Sequence, residues 1–355
     1  MENMAVSGFW SGKRVLITGH TGFKGSWLSL WLNHLKADVF GYALAPDTTP
    51  ALFDQLALVE DIDHELGDIR DQEALSRRIH SVKPDVIFHL AAQPLVLRSY
   101  DDPLETWQTN VMGSAHVMEA ARSLKNPCAL VMITTDKVYE NREWVYAYRE
   151  VDPLGGHDPY SASKAAMELA ISSWRKSFAA SDATLRIASA RAGNVIGGGD
   201  WAENRILPDL VRALRANQPL DVRNPHASRP WQHVLEPLGG YMLLAEYLMN
   251  STDSVYQSSF NFGPEAQDVR PVRNLVETAL NHWPGKWHDT SNPTQRHEAQ
   301  SLSLSIEKAR AVLGYRPRIG FEQSVEMTLN WYRQVSEGSD PKKLTMSQIE
   351  AFSAI

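Results

Sequence analysis

Two residues able to do acid–base chemistry stand four apart in the run Tyr160-Ser161-Ala162-Ser163-Lys164, which opens a helical pattern. Four residues are about one helical turn, so the phenol and the ammonium share a face. A cation beside a phenol favours the phenolate, lowering a pKa that starts at about 10 toward a value useful for taking a proton from a hydroxyl. The same spacing also arises on solvated helix surfaces, so its weight rests on what precedes it. That is Val15-Leu16-Ile17-Thr18-Gly19-His20-Thr21-Gly22-Phe23-Lys24-Gly25, with three glycines where a strand pattern gives way to a helical one. There glycine lets the turn close and lets backbone N–H groups approach a pyrophosphate, whose charge the helix N-terminus stabilises. Gly19, Thr21, Gly22, Phe23, Lys24 and Gly25 are therefore candidate dinucleotide ligands.

Such groups need a scaffold that repeats strand and helix. Strands read at Lys13 to Thr18, Asp38 to Leu44, Asp63 to Gly67, Asp85 to Ala91, Ala129 to Thr135 and Thr184 to Ala190, most of them short apolar runs, alternate with helical patterns that begin after Gly22 and near Asp71, Asp102 and Asp158. This alternation predicts an α/β fold, a Rossmann-like doubly wound parallel sheet buried on both faces. From about Gly193 the pattern turns irregular, which predicts a smaller, mixed C-terminal substrate-binding lobe. The expected division is a dinucleotide-binding domain over 8–192 and a substrate lobe over 193–355, with some segments of the second returning to the first. The polar tail after Glu337 predicts loose packing.

The second strand ends in Tyr42-Ala43-Leu44-Ala45-Pro46, with Asp47 the nearest acid for ribose hydroxyls and no arginine for a 2′-phosphate, which favours NAD over NADP. In Gly67-Asp68-Ile69-Arg70, Asp68 either accepts from an adenine amino group or simply closes a turn.

With 355 residues the chain has room for two lobes. Its net charge of −7 supplies no field for nucleic acid, and its apolar runs fall short of a membrane span. The lone Cys128, in an apolar run, excludes an intramolecular disulfide. With no apolar stretch behind a basic patch at the N-terminus, a cytoplasmic protein is expected. The twelve histidines show no ligand spacing, so no metal is expected.

Thr18-Gly19-x-x-Gly22-x-x-Gly25, the run His89-Leu90-Ala91-Ala92, Asn110 and the Tyr160/Lys164 pair resemble the extended short-chain dehydrogenase/reductase superfamily over essentially the whole chain. The resemblance implies that Asp68, Ile69, Leu90, Ala91 and Ala92 border an NAD cofactor that Tyr160 and Lys164 also touch, and that Thr135, favoured over Thr134, joins them in the active site. In Thr134-Thr135-Asp136-Lys137, two ionisable residues follow the threonine, as in nucleotide-sugar 4,6-dehydratases. Oxidising a hexose at C4 acidifies the proton at C5, so a base can remove it while an acid protonates the departing C6 hydroxyl. By resemblance Asp136 is that acid and Lys137 handles the C5 proton.

Most such dehydratases carry glutamate where this chain has Lys137, and that departure resembles the branch acting on CDP-glucose in deoxysugar biosynthesis. The bland alternative for Asp136 and Lys137 is a strand-end ion pair. The same resemblance carries substrate contacts to Asn194, Arg205, Arg229 and Arg296, and a hexose contact to Gln93. Each arginine is otherwise a surface residue paired with a carboxylate. Trp201 and Trp231 either stack on a pyrimidine or belong to the core. Related enzymes pair helices such as Leu104 to Leu124 and Tyr160 to Phe178 between subunits, so a homodimer is expected. Competing readings are a nucleotide-sugar epimerase, a dehydratase for a dTDP, GDP or UDP sugar, a simple dehydrogenase, and a redox-sensing binding protein without catalysis.

Overall fold

The computed structural model describes residues 8–179, 184–292 and 299–355. Strands Arg14–Thr18 (β1), Asp38–Ala43 (β2), Asp63–Leu66 (β3), Val86–His89 (β4), Cys128–Ile133 (β5) and Leu185–Arg191 (β6) lie in the order β3-β2-β1-β4-β5-β6. A seventh strand, Ser259–Asn261, pairs with β6 at the outer edge, and every pairing is parallel. The central strands are apolar throughout because both faces are covered. Alternate side chains feed opposite layers: Val15, Ile17, Val131 and Ile133 enter one core, while Leu16, Leu130 and Met132 enter the other.

Helices Gln72–Val82, Ser114–Arg122 and Pro159–Trp174 cover one face. Helix Phe23–His34 (α1) and helix Leu235–Asn250 cover the other, and helix Pro341–Ser353 packs outside against α1. Strand order reverses between β1 and β4, which places a crevice at their carboxyl ends.

Beyond Gly193 the chain forms short paired strands at Val195–Ile196 with Gln232–His233, Leu220–Val222 with Trp287–Asp289, and Ser228–Pro230 with Val269–Pro271. The strand Ser259–Asn261 then returns to the main sheet.

The tail after Glu337 departs from expectation. Residues Pro341–Ser353 form a helix whose Thr345, Ile349 and Phe352 are buried. Phe352 meets Trp31 of α1 edge-on at 5.6 Å, and Trp331 Nε1 donates to Thr345 Oγ1 at 3.0 Å. Spacings of four and three put those residues on one face, a stripe that the polar composition conceals.

Candidate active site

The first glycine turn is built for close approach. Gly19 has φ +77°, and a Cβ there would stand 2.7 Å from the Ala91 nitrogen, so the loops after β1 and β4 touch backbone to backbone. A Cβ on Gly25 would overlap the Gly19 carbonyl. Gly22 N–H donates to the Gly19 carbonyl at 3.2 Å, and α1 starts at Phe23 with no side-chain cap on its free N–H groups. This bare helix start at the crevice, with a cradle that any side chain would fill, fits a dinucleotide diphosphate. Thr21 Oγ1 donates to the Leu44 carbonyl at 2.9 Å, tying the turn to the end of β2. Asp68 is held by Arg70 through Nη2 at 2.6 Å and Nε at 2.8 Å, which lowers the carboxyl pKa against the opposing effect of burial, and Ile69 is buried beside Gly113.

His89, at the end of β4, is fully buried between Thr18 Oγ1 (2.7 Å from Nδ1) and Ser114 Oγ (2.9 Å from Nε2). Ser114 donates onward to the Asn110 carbonyl, so its oxygen accepts from Nε2–H and His89 is neutral. Burial and the charge of Lys164 lower its pKa to about 3. Asn110 lies in the π-helical segment Gln108–Gly113; it accepts from Gln93 N–H at 2.9 Å and donates to Ser163 Oγ at 2.9 Å.

At the end of β5 the chain turns into the 3₁₀ segment Asp136–Val138. Thr135 neighbours the Tyr160 phenol, whose pKa it lowers, and donates to Asp136 Oδ1 at 2.9 Å. All three residues are buried. Asp136 faces Gly193, where a Cβ would overlap its carboxylate. Burial pushes the Tyr160 phenol up to about 12, against the bond from Thr135 and the charge of Arg205. Lys164 is pushed down to about 7 by burial and by Lys24.

The Lys164 ammonium donates to the Ile133 carbonyl at 3.4 Å and contacts Met167 Sδ at 3.6 Å. The lowered phenol pKa expected from the one-turn spacing does not hold here. Desolvation outweighs a neighbour whose long side chain reaches back to β5.

One turn past Lys164 stands Glu168, which the sequence reading missed. Its carboxylate accepts from Arg191 Nε at 2.9 Å and Nη2 at 2.8 Å, Thr134 Oγ1 at 2.6 Å and Ser189 Oγ at 2.9 Å. Arg191 Nη1 donates to Tyr139 Oη at 2.8 Å. The available signal was the four-residue interval from Lys164 together with an arginine closing the apolar strand Leu185–Arg191.

Lys137 is half-buried and lines a cavity of about 530 Å³ with Val96, Glu140, His157 and Ser161. Arg205 sits across from Tyr160, its Nη1 donating to Asp200 Oδ2 at 2.9 Å, and its charge reaches both the phenol and half-buried Lys24. Burial and Arg205 lower the Lys24 ammonium to about 8. Asn194 takes a left-handed φ of 51°, and its carbonyl accepts from Gln232 N–H at 3.3 Å.

Arg229 is buried, with Nη1 donating to the Ser228 carbonyl at 2.9 Å. The Gln93 carboxamide bonds Leu95 through both its oxygen and its nitrogen, and Thr106 Oγ1 as well, which ties it to its own loop. Arg296 lies outside the described residues. Trp201 and Trp231 are core residues: each is buried, with its indole N–H donated to Gln55 Oε1 and the Arg270 carbonyl respectively. Among the described residues no cluster of metal-binding side chains occurs, and no helix is long and apolar enough to cross a membrane.

Comparison with known proteins places this geometry among its relatives. The chain is 46% identical over 338 residues, 94% of each chain, to CDP-glucose 4,6-dehydratase from Salmonella typhimurium. It is 26% identical over 344 residues to dTDP-glucose 4,6-dehydratase from Haemophilus influenzae, covering 90% of this chain and 97% of that one. Its fold is similar to that of dTDP-glucose 4,6-dehydratase from Streptomyces venezuelae, solved with NAD bound (TM-score 0.78, 24% identity, 92% of this chain and 99% of the other). It is also similar to that of UDP-glucose 4-epimerase from Thermotoga maritima (TM-score 0.79, 20% identity, 91% and 99%). The family model described as GDP-mannose 4,6 dehydratase matches residues 16–328. With a nearly full-length relative and a family model over most of its length, the chain belongs to the GDP-mannose 4,6 dehydratase family.

Proposed function

We propose that this protein is an NAD-dependent CDP-glucose 4,6-dehydratase, a hydro-lyase that converts CDP-D-glucose to CDP-4-dehydro-6-deoxy-D-glucose and water. The observation that carries this reading is the convergence of the hydrogen-bonded pair Thr135 and Asp136 with the buried Tyr160 phenol, with Lys137 following on the wall of the cavity. An epimerase has no use for a buried acid and an amine beyond the tyrosine.

Gly19, Thr21, Gly22, Phe23, Lys24 and Gly25 would hold the dinucleotide diphosphate, with Asp68 and Ile69 at the adenine end and Leu90, Ala91 and Ala92 beneath it. Bound there, NAD would supply reversible hydride chemistry between the hexose C4 and C6. Tyr160 takes the proton of the C4 hydroxyl, Thr135 orients the phenol, and Lys164 lends its charge to the same side. Asp136 protonates the departing C6 hydroxyl, and Lys137 removes the C5 proton and gives it back. Arg205, Arg229 and Asn194 would hold the nucleoside diphosphate, since arginine's planar fork suits phosphate oxygens. The chain divides functionally near Ala192, with cofactor chemistry before it and nucleotide-sugar recognition after it.

A homodimer is part of the same proposal. Leu104, Trp107 and Met112 are exposed on the helical stretch that runs beside helix Pro159–Trp174, where Leu169 is exposed as well. A second copy would cover them. Cytoplasmic residence fits the buried, unpaired Cys128.

The deciding experiment incubates the protein with NAD and CDP-, dTDP-, GDP- or UDP-glucose and follows product mass. Loss of one water from CDP-glucose alone is the expected result. Loss from another nucleotide, or a product of unchanged mass, refutes it.

A further inference from the structure

Taking two charges out of water can cost more than their attraction offsets, so an ion pair kept in a protein core asks for a use other than stability. Glu168 and Arg191 form such a pair at 2.8 Å, each 2% exposed. The surroundings supply the use, because both flanks of the catalytic turn are tied to this pair.

On the near flank, just past β5, Thr134 Oγ1 donates to Glu168 Oε1 at 2.6 Å. On the far flank, Tyr139 Oη accepts from Arg191 Nη1 at 2.8 Å and donates to Asn261 Oδ1 at 2.7 Å, and the guanidinium lies over the Tyr139 ring at 5.0 Å. Ser189 Oγ and Ser259 Oγ donate to Glu168 Oε2 at 2.9 and 3.3 Å. Thr134, Tyr139, Ser189 and Asn261 are all buried.

Between the two flanks run Thr135, Asp136, Lys137 and Val138. The turn's own backbone bonds are long: Val138 N–H reaches the Thr135 carbonyl at 3.4 Å, and Lys137 N–H reaches Thr135 Oγ1 at 3.3 Å. The loop behind adds Gly155 N–H, which donates to the Val138 carbonyl at 2.9 Å. Tyr160 and Lys164 stand instead on helix Pro159–Trp174, which buried Met167 and Ile171 seat on the sheet.

We propose that the Glu168–Arg191 pair is a positioning clamp that grips the catalytic turn at both flanks and so aims Asp136 and Lys137 at the hexose for water loss. This rests on the 4,6-dehydratase reading and deepens it by naming what sets the acid and the base. Sugar oxidation depends on the helix and elimination on the turn, so loosening the clamp should separate the two steps.

Removing either charge would strand the other in the core, so the test removes single hydroxyls. The variants are Thr134→Val, Tyr139→Phe and their combination. Thr134→Ser keeps the hydroxyl, and Phe352→Ala is a control that loosens the fold far from the turn. In a single turnover with CDP-glucose and NAD, absorbance of the reduced nicotinamide follows oxidation, and mass spectrometry of quenched samples follows loss of water. Thr134→Val and Tyr139→Phe should each oxidise the sugar within about threefold of wild type yet lose water about tenfold more slowly, and the double variant about 100-fold more slowly. Reduced nicotinamide should therefore accumulate in them. Thr134→Ser and Phe352→Ala should divide the two steps as the wild type does.

Equal slowing of both steps, or no slowing in either single variant, overturns the clamp. Wild-type protein that takes no water from CDP-glucose sinks the dehydratase reading instead and leaves the clamp to a readout that needs no substrate. Hydrogen exchange on the protein alone, read by mass spectrometry, should be about tenfold faster over residues 134–139 in Thr134→Val and Tyr139→Phe, with β5 itself unchanged. Unchanged exchange over the turn, or equal acceleration of turn and strand, also overturns the clamp.

Discussion

Gly193 stands where the Asp136 carboxylate needs room. A Cβ built at Gly193 would overlap Asp136 Oδ2, so the glycine that closes β6 shapes the position of the acid across the crevice. Gly193→Ala should push Asp136 off Thr135 and reduce water loss by about 100-fold, with folding retained. Steady-state product formation alongside thermal unfolding checks this, and wild-type turnover in the variant contradicts it.

Lys137 lies on the cavity side of the same turn. Lys137→Ala should lower turnover by about 10²- to 10⁴-fold, the span of general base catalysis. Solvent deuterium should enter C5 of the product only as slowly as product appears. Undiminished turnover with full C5 labelling would assign that proton to another base.

A pH effect on stability should come from Glu236, far from the chemistry. It is buried, and its Oε1 accepts from Arg318 N–H at 2.7 Å and Ile319 N–H at 2.6 Å. Burial raises its pKa from 4.5 to about 7, against those two bonds. A raised carboxyl pKa means the folded state holds a proton that the unfolded state has released. Its stabilising contribution is full below about pH 4.5 and is lost as pH rises through about 7. Glu236→Gln keeps an oxygen for both N–H groups without a charge. Its advantage over wild type should therefore grow from near zero at pH 5 to on the order of 2 kcal/mol at pH 8. Chemical denaturation at the two pH values measures it, and a constant difference would refute the assignment.

The final helix should be part of the cooperative fold. Phe352→Ala empties the contact with Trp31 and should destabilise by about 3 kcal/mol, read as a lower denaturant midpoint at unchanged slope. A change below about 0.5 kcal/mol would mean that the helix docks weakly.

The parts of this architecture that repeat locally were legible. Each of the six first strands was expected within a few residues of where it lies, because all but the polar edge strand Asp63–Leu66 are short, largely apolar runs bounded by turn residues. The glycine cradle was legible because it sits at the first strand–helix junction. Pairings set by register across the sheet were not. Glu168 finds Arg191 only because β6 lies beside β5 and brings Ser189 and Thr134 to the same carboxylate. The Tyr160 phenol was expected to be acidified by Lys164, but spacing gives direction along a helix and not the depth of burial. Trp201 and Trp231 were ambiguous in sequence, since a large aromatic serves a base or a core equally well, and neighbours such as Tyr332 decide it.

The strand Ser259–Asn261 binds the late chain to the early one through the backbone itself. A gene fragment stopped near Ala192 would leave β6 with a bare row of amide and carbonyl groups, inviting strangers to pair there. The dinucleotide-binding half is thus no portable module. Swapping recognition segments between relatives should succeed only when the graft brings back, or leaves intact, those three residues at the sheet's rim.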